Sequence, residues 1–289
     1  MNTQGAILGA LLLTLSGAPA LAFDAAALEQ AARAEEAALP ARVGAAALDT
    51  GTGQLWTYRG DERFPLDSTH KAFACAALLA RADRSEASLD RRVVIPAPAI
   101  VEHSPITQTH VAPDSMSLSD LCAASIGVSD NTAANFVLAA LGGPKGLTQY
   151  FRALGDATSR LDRTETDLNE STPGDTRDTT TPAAAVADLR KILIGDALNP
   201  ASRERLTQWM ADDRVAGPLL RAALPAGWRI ADKTGAGGHG SRGIVAAIWP
   251  PGRAPVVVAI YLTETPASLD ARNAAIARIG AALVKALGP

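Results

Sequence analysis

The sequence predicts an α/β fold of the α+β type: a five-stranded antiparallel sheet flanked by helices, with an inserted all-α subdomain. Three observations carry this expectation. Strand-like segments cluster at the two ends of the chain, the middle is rich in Ala and Leu at helical spacing, and Gly/Pro turns separate neighbouring strands. Hairpin neighbours pair antiparallel, and strands from both chain ends can complete one sheet while the middle packs as a helical layer.

The elements follow in order. Asp24–Leu39 is Ala/Glu-rich and helical, and Pro40 ends it. Arg42–Asp49 and Gln54–Tyr58 read as strands joined by the turn Thr50-Gly51-Thr52-Gly53. Helical segments broken by Pro/Gly/Thr loops fill the middle, and the Thr-rich tract from Ser171 to Thr181 reads as loop. Arg229–Thr234, Gly243–Trp249 and Pro255–Thr263 are β-branched or apolar runs, separated by Gly237-Gly238-His239-Gly240 and by Pro250-Pro251-Gly252. Ala271–Leu287 closes the chain as an amphipathic helix. The expected division is 23–60 with 212–289 as an α/β subdomain and 61–211 as a helical one, with a site in the cleft between them.

With 289 residues, 47% hydrophobic and 20% charged, the chain suits one large domain or two subdomains sharing a core. A net charge of −3, no basic run and 4% aromatics argue against nucleic acid as a partner. Residues 1–22 read as a signal peptide: an apolar stretch from Ala6 to Leu15 too short to span a bilayer, then Gly17 and Pro19, then Ala20-Leu21-Ala22 before cleavage at Phe23. An exported chain in the periplasm, or secreted, is the expectation, with no membrane association after cleavage and a monomeric state. Two cysteines, Cys75 and Cys122, favour a disulfide in such a compartment, worth about 3–4 kcal/mol by chain entropy, although spacing alone leaves two separate buried thiols open.

Three motifs carry chemistry. In Ser68-Thr69-His70-Lys71 an apolar helical run follows at once, so serine and lysine share a helix face and the amine lies beside the hydroxyl. A serine hydroxyl is a poor nucleophile until a base takes its proton, and a lysine serves if burial or another cation lowers its pKa. Chance gives about 0.3 copies of Ser-x-x-Lys in this composition, so alone it reads better as an N-cap and a surface lysine. Ser129-Asp130-Asn131 precedes the helical run Thr132–Leu141 and is adequate as a cap, but about 0.02 copies are expected by chance. Lys233-Thr234-Gly235 ends a strand, where lysine and hydroxyl can bind a carboxylate and glycine lets backbone approach, with about 0.03 copies expected. The chain has five lysines against 22 arginines, and two of the five fall in these motifs.

Together, in this order, the three resemble the pattern of the penicillin-recognising serine enzymes, the β-lactamases and DD-peptidases. Glu165-Thr166-Asp167-Leu168-Asn169 is similar to the Glu-x-x-Leu-Asn signature of class A serine β-lactamases, and the steps Ser68 to Ser129, to Glu165, to Lys233 are 61, 36 and 68 residues. The resemblance covers essentially the whole mature chain. It implies a β-lactamase/transpeptidase-like fold and hydrolysis of the β-lactam amide of penicillins and some cephalosporins through a Ser68 acyl-enzyme, conferring antibiotic resistance. It implies that Lys71 or Glu165 acts as base, Ser129 relays a proton to the leaving nitrogen, and Glu165 with Asn169 directs the hydrolytic water. It implies substrate contacts from His103, Asn131, Lys233, Thr234, Gly235, Ala236 and Arg242, the last within Ser241-Arg242-Gly243. It further implies a Cys75–Cys122 disulfide and an Arg163–Asp178 ion pair at the base of an omega loop at about 163–178. The implied partner is a small-molecule β-lactam; no cofactor and no metal is implied, and the four histidines form no zinc-hydrolase pattern.

The chain departs from the family pattern in places. Thr166 stands where proline usually follows the glutamate, His70 neighbours the nucleophile, His103 takes a usually aromatic rim position, and Asp67 and Gly237 replace a cysteine pair found in many carbapenem-hydrolysing members. A DD-peptidase has no reason to carry Glu165-x-x-Leu-Asn169, a β-lactam sensor domain acylates and stays acylated, and a degenerate paralogue does neither. Turnover, stoichiometric burst or inertness with a chromogenic cephalosporin separates them.

Overall fold

The structure, a computed structural model, describes residues 24–288; the expected leader, 1–22, and its cleavage point before Phe23 lie outside the described residues. The chain opens with α1 (Ala25–Ala38), whose first turn is capped by the Asp24 carboxylate accepting from Ala27 N, and continues through β1 (Arg42–Asp49), β2 (Leu55–Tyr58) and β3 (Phe64–Pro65). The Asp49 carboxylate accepts from Gly51 N and Thr52 N, and Gly53 supplies the positive φ of 76° that closes the β1–β2 turn.

The middle holds α2 (His70–Asp83), β4 (Arg92–Val94), β5 (Ser115–Ser117), α3 (Leu118–Gly127), α4 (Asn131–Leu141), α5 (Pro144–Ala153), β6 (Thr179–Thr180), α6 (Pro182–Leu193) and α7 (Pro200–Ala211). The end supplies β7 (Arg229–Ala236), β8 (Arg242–Trp249), β9 (Val256–Thr263) and α8 (Leu269–Leu287). The five long strands form one sheet in the order β2-β1-β9-β8-β7, antiparallel throughout, as the strand positions predict.

The central strands are buried on both faces, which explains why they read as continuous apolar runs rather than alternating ones. Successive side chains of β9 go to opposite cores: Val257 and Ala259 join Phe73, Leu78 and Val186 beneath the helical layer, while Val256, Val258 and Ile260 pack with Leu28, Ile276 and Ile279 of α1 and α8. Cys75 of α2 and Cys122 of α3 are joined in a disulfide with their Cα atoms 5.7 Å apart. No helix among the described residues is long and apolar enough to cross a membrane.

Four strand ends differ from expectation, two of them by one residue: β2 starts at Leu55 rather than Gln54, and β8 at Arg242 rather than Gly243. β7 runs two residues past Thr234, because Gly235 and Ala236 still pair with Gly243 and Arg242, a continuation that a glycine-rich sequence conceals. β9 starts at Val256 rather than Pro255, since proline has no N–H to give the ladder.

Candidate active site

Ser68 lies in a 3₁₀ turn, Asp67–Thr69, that runs straight into α2 and opens onto a cleft of about 930 Å³. His103, Ser129, Asn131, Asn169, Thr234, Gly235, Ala236 and Arg242 line the same cleft. Lys71, Glu165 and Lys233 are buried in its floor and walls. Four segments far apart in the chain are therefore brought to one place.

The floor is a charged network. Lys71 Nζ donates to Ser129 O at 2.8 Å, Ser129 Oγ at 3.2 Å and Asn131 Oδ1 at 2.5 Å, and lies 3.0 Å from Glu165 Oε1. Ser68 Oγ donates to the same Glu165 oxygen at 3.4 Å, and Asn169 Nδ2 donates to the other. Burial lowers the Lys71 ammonium below the ordinary lysine range against the opposing pull of Glu165. Burial raises the Glu165 carboxyl, but Lys71 and Asn169 outweigh it and leave the group below the usual glutamate range. One Glu165 oxygen therefore meets both the Ser68 hydroxyl and the Lys71 amine. Asn169 Oδ1 is buried without a donor from the protein.

Ser129 holds a left-handed φ of 59° between α3 and α4. Asp130 beside it faces away from the cleft, capping α4 through Ala133 N and accepting from Ile106 N, Thr107 N and Thr107 Oγ1. That fixes the rim segment carrying His103, whose Nε2 donates to Val128 O at 3.0 Å and whose carbonyl accepts Asn131 N. His70, the unusual neighbour, is fully buried with Nδ1 donating to Asp67 O at 2.7 Å, and burial pushes its pKa down to about 4, so the ring is neutral.

The opposite wall is β7. Lys233 is wholly buried, its Nζ donating to Thr234 O at 2.9 Å and lying 3.9 Å from Asp213 Oδ2; burial lowers it to about 8. A Cβ on Gly235 would come within 3.0 Å of Ser68 N, so only glycine lets the strand lie this close to the nucleophile. Arg242 donates to Gly235 O at 2.9 Å and Asn273 Oδ1 at 2.7 Å, and burial with neighbouring Arg272 lowers it to about 10.

The segment carrying Glu165 is closed at its neck. Arg163 Nε meets Asp178 Oδ2 at 2.6 Å, and Asp178 Oδ1 accepts from Asp162 N and Arg163 N. The Glu165–Thr166 peptide is cis. Sequence reasoning missed Asn135, which clamps the Glu165 backbone by accepting from its N–H at 2.8 Å and donating to its carbonyl at 2.9 Å. Its signal was present: a polar residue one turn after Asn131 in an otherwise apolar helix. Asp213, beside Lys233, gave none, since Asp212-Asp213 reads as a solvated acidic pair.

The model of the β-lactamase enzyme family matches residues 27–287. Beta-lactamase AER-1 of Aeromonas hydrophila is 54% identical over 285 residues, covering 99% of this chain and 94% of that protein. The solved ancestral (GNCA) class A β-lactamase superposes with a TM-score of 0.88 at 52% identity, covering 90% of this chain and 99% of that one. The putative class A β-lactamase PenP of Rhodopseudomonas palustris gives a TM-score of 0.88 at 47% identity, with 90% and 99% covered. Match to the family model over nearly the whole chain, and identity near one half to class A structures, establish that this chain belongs to the class A β-lactamase family.

Proposed function

We propose that the chain hydrolyses the β-lactam amide of penicillins and some cephalosporins through an acyl-enzyme on Ser68, and so confers resistance to them. The observation that carries this reading is the position of Glu165, whose one oxygen is 3.4 Å from Ser68 Oγ and 3.0 Å from Lys71 Nζ while Asn169 holds the other.

The substrate carboxylate docks against Lys233, Thr234 and Arg242, cations and a hydroxyl on one wall. Glu165, whose carboxylate oxygen accepts from Ser68 Oγ, is the initial acceptor of the Ser68 proton, directly or through a water. Backbone N–H groups of Ser68 and Ala236 face the developing oxyanion, each worth roughly 3–4 kcal/mol. Ser129, already hydrogen-bonded to Lys71, passes its proton to the departing ring nitrogen and is reprotonated by Lys71, which takes the Ser68 proton over from Glu165 and leaves that carboxylate free again. In the second half, a water between Glu165 and the unpartnered Asn169 Oδ1 gives its proton to Glu165 and attacks the ester, and Glu165 returns that proton to Ser68 Oγ as the C–O bond breaks. Release of this ester separates a hydrolase from a target that stays acylated.

The test is Glu165→Gln with a penicillin, followed by intact-mass spectrometry. A persistent adduct on Ser68 is expected; normal turnover would remove Glu165 from the mechanism. Export to the periplasm and action there as a monomer belong to the same proposal, supported by the N-terminal apolar stretch ending in Ala20-Leu21-Ala22 and by the Cys75–Cys122 disulfide. N-terminal sequencing and a sedimentation mass of the periplasmic protein check both.

A further inference from the structure

Asp67, the residue before the nucleophile, takes no part in the chemistry above, yet it is 1% exposed and sits where three segments meet. Its φ of 42° lies in the left-handed region, which aspartate tolerates better than most residues. One carboxylate oxygen accepts from Ser171 Oγ at 2.8 Å, and the other from Ser241 Oγ at 2.6 Å. Ser171 follows directly on the Glu165–Glu170 stretch, and its hydroxyl also reaches Asn169 O at 3.2 Å; Ser241 leads into β8.

The backbone around this junction is packed tightly. Gly238 N donates to Asn169 O at 2.8 Å. A Cβ on Gly237 would lie 2.4 Å from Asp67 Oδ1, 2.6 Å from Asn169 O and 2.7 Å from Ser171 Oγ, so any side chain there would push the loop off the hairpin. Burial raises the Asp67 carboxyl to about 6, held down by Ser241 and Ser171, so at neutral pH it is predominantly an anion with two hydroxyl donors. A buried carboxylate is costly unless its acceptors are filled, and here the two donors come from the two segments it joins.

We propose that Asp67 is a positioning residue: by holding Ser171 and Ser241 at once it sets the loop that carries Asn169 and Glu165 against the Ser68 turn, and its loss slows deacylation far more than acylation. Lys71 is placed by α2, Lys233 by the β7–β8 ladder, and Ser68 by the backbone of the 3₁₀ turn, where Thr69 N donates to Leu66 O; none of these ties uses the Asp67 carboxylate. Asn169 is joined to the hairpin by a single backbone bond, from Gly238 N, and otherwise through Ser171 to Asp67. This rests on the reading of Glu165 and Asn169 as the pair that directs the hydrolytic water.

The experiment measures acylation and deacylation separately, by rapid-quench burst and by decay of the penicilloyl adduct in intact-mass spectra. Asp67→Gly deletes the carboxylate while keeping the backbone angle accessible, and Ser171→Ala with Ser241→Ala removes the donors while leaving Asp67 in place. Both are expected to slow deacylation about tenfold to a hundredfold with acylation within about threefold, the effect of a displacement of the order of 1 Å. Asp67→Asn, of the same shape and able to accept from one hydroxyl and donate to the other, is expected to recover most of the loss. Equal losses in both steps, or unchanged deacylation in the folded glycine variant or the double serine variant, would overturn the proposal. If Asp67→Gly does not fold by circular dichroism, the double serine variant decides alone. Glu165→Gln run alongside separates the two layers: a trapped adduct there with normal deacylation in the Asp67 variants rejects only Asp67, whereas normal turnover of Glu165→Gln rejects the water-directing reading itself.

Discussion

The two walls of the cleft are built by different physics. The β7 wall is a backbone ladder: eight paired positions from Arg229↔Trp249 to Ala236↔Arg242 set Lys233, Thr234 and Gly235 whatever side chains lie nearby. The loop wall has almost no ladder. Glu165 and Asn169 are held by the Asn135 clamp, the Arg163–Asp178 pair and the Ser171–Asp67 contact. A ladder can be made by almost any residue, but a side-chain tie needs one particular residue. The wall proposed to dock the substrate is therefore tolerant in its geometry, and the wall proposed to hold the water is fragile.

The largest expected effect comes from cutting the loop neck. Asp178 is 1% exposed and Arg163 partly solvated, so Arg163→Ala should cost roughly 3 kcal/mol, the lower end of the range for breaking a buried pair. Deacylation should fall about a hundredfold with adduct accumulating, because the barrier rises by about 1.4 kcal/mol per tenfold. An unchanged kcat, measured beside a thermal melt, would break the contrast between the walls. A smaller effect is expected on the strand side. Arg242→Ala removes one charge-assisted bond to the substrate carboxylate, worth about 1.5–3 kcal/mol, so KM should rise roughly tenfold to a hundredfold with deacylation and melting temperature nearly unchanged. A lengthened acyl-enzyme lifetime in this variant would mean that the two walls are not separable.

The same contrast governs what could be read from the sequence. Strand positions and their order were legible because a five-stranded sheet leaves apolar runs punctuated by glycine and proline, and Lys233-Thr234-Gly235 was legible as the end of one of them. Ser68 and Lys71 were legible because one helical turn fixes their relation. The loop wall was legible only at Glu165, Asn169 and the Arg163–Asp178 pair, and these through resemblance rather than through spacing. Asp67 and Asn135, which tie that wall down, were not identified. Each makes its contacts across about 30 to 174 residues of chain, and no local pattern encodes a hydrogen bond over such a separation.

The smallest predicted effect tests the far support of the loop wall. Asp188 on α6 is buried with both carboxyl oxygens lacking a donor from the protein, beside Asp156, whose carboxylate accepts from Thr158 N and Ser159 N. Ser159 Oγ in turn lies 2.7 Å from Thr180 Oγ1, next to the loop neck. Burial first, and the Asp156 charge second, push Asp188 up to about 8. An unfolded aspartate titrates near 3.9, so between these values the folded chain binds the extra proton and stability falls as pH rises through the window. Asp188→Asn keeps a donor toward Asp156 and carries no charge to bury. It should match the wild type in melting temperature near about pH 4 and exceed it by a margin that grows as pH rises toward about 8, with kcat unaltered. A difference that stays constant across the range would mean that Asp188 is already ionised in the folded chain, and that the loop wall stands on contacts as indifferent to pH as the ladder opposite.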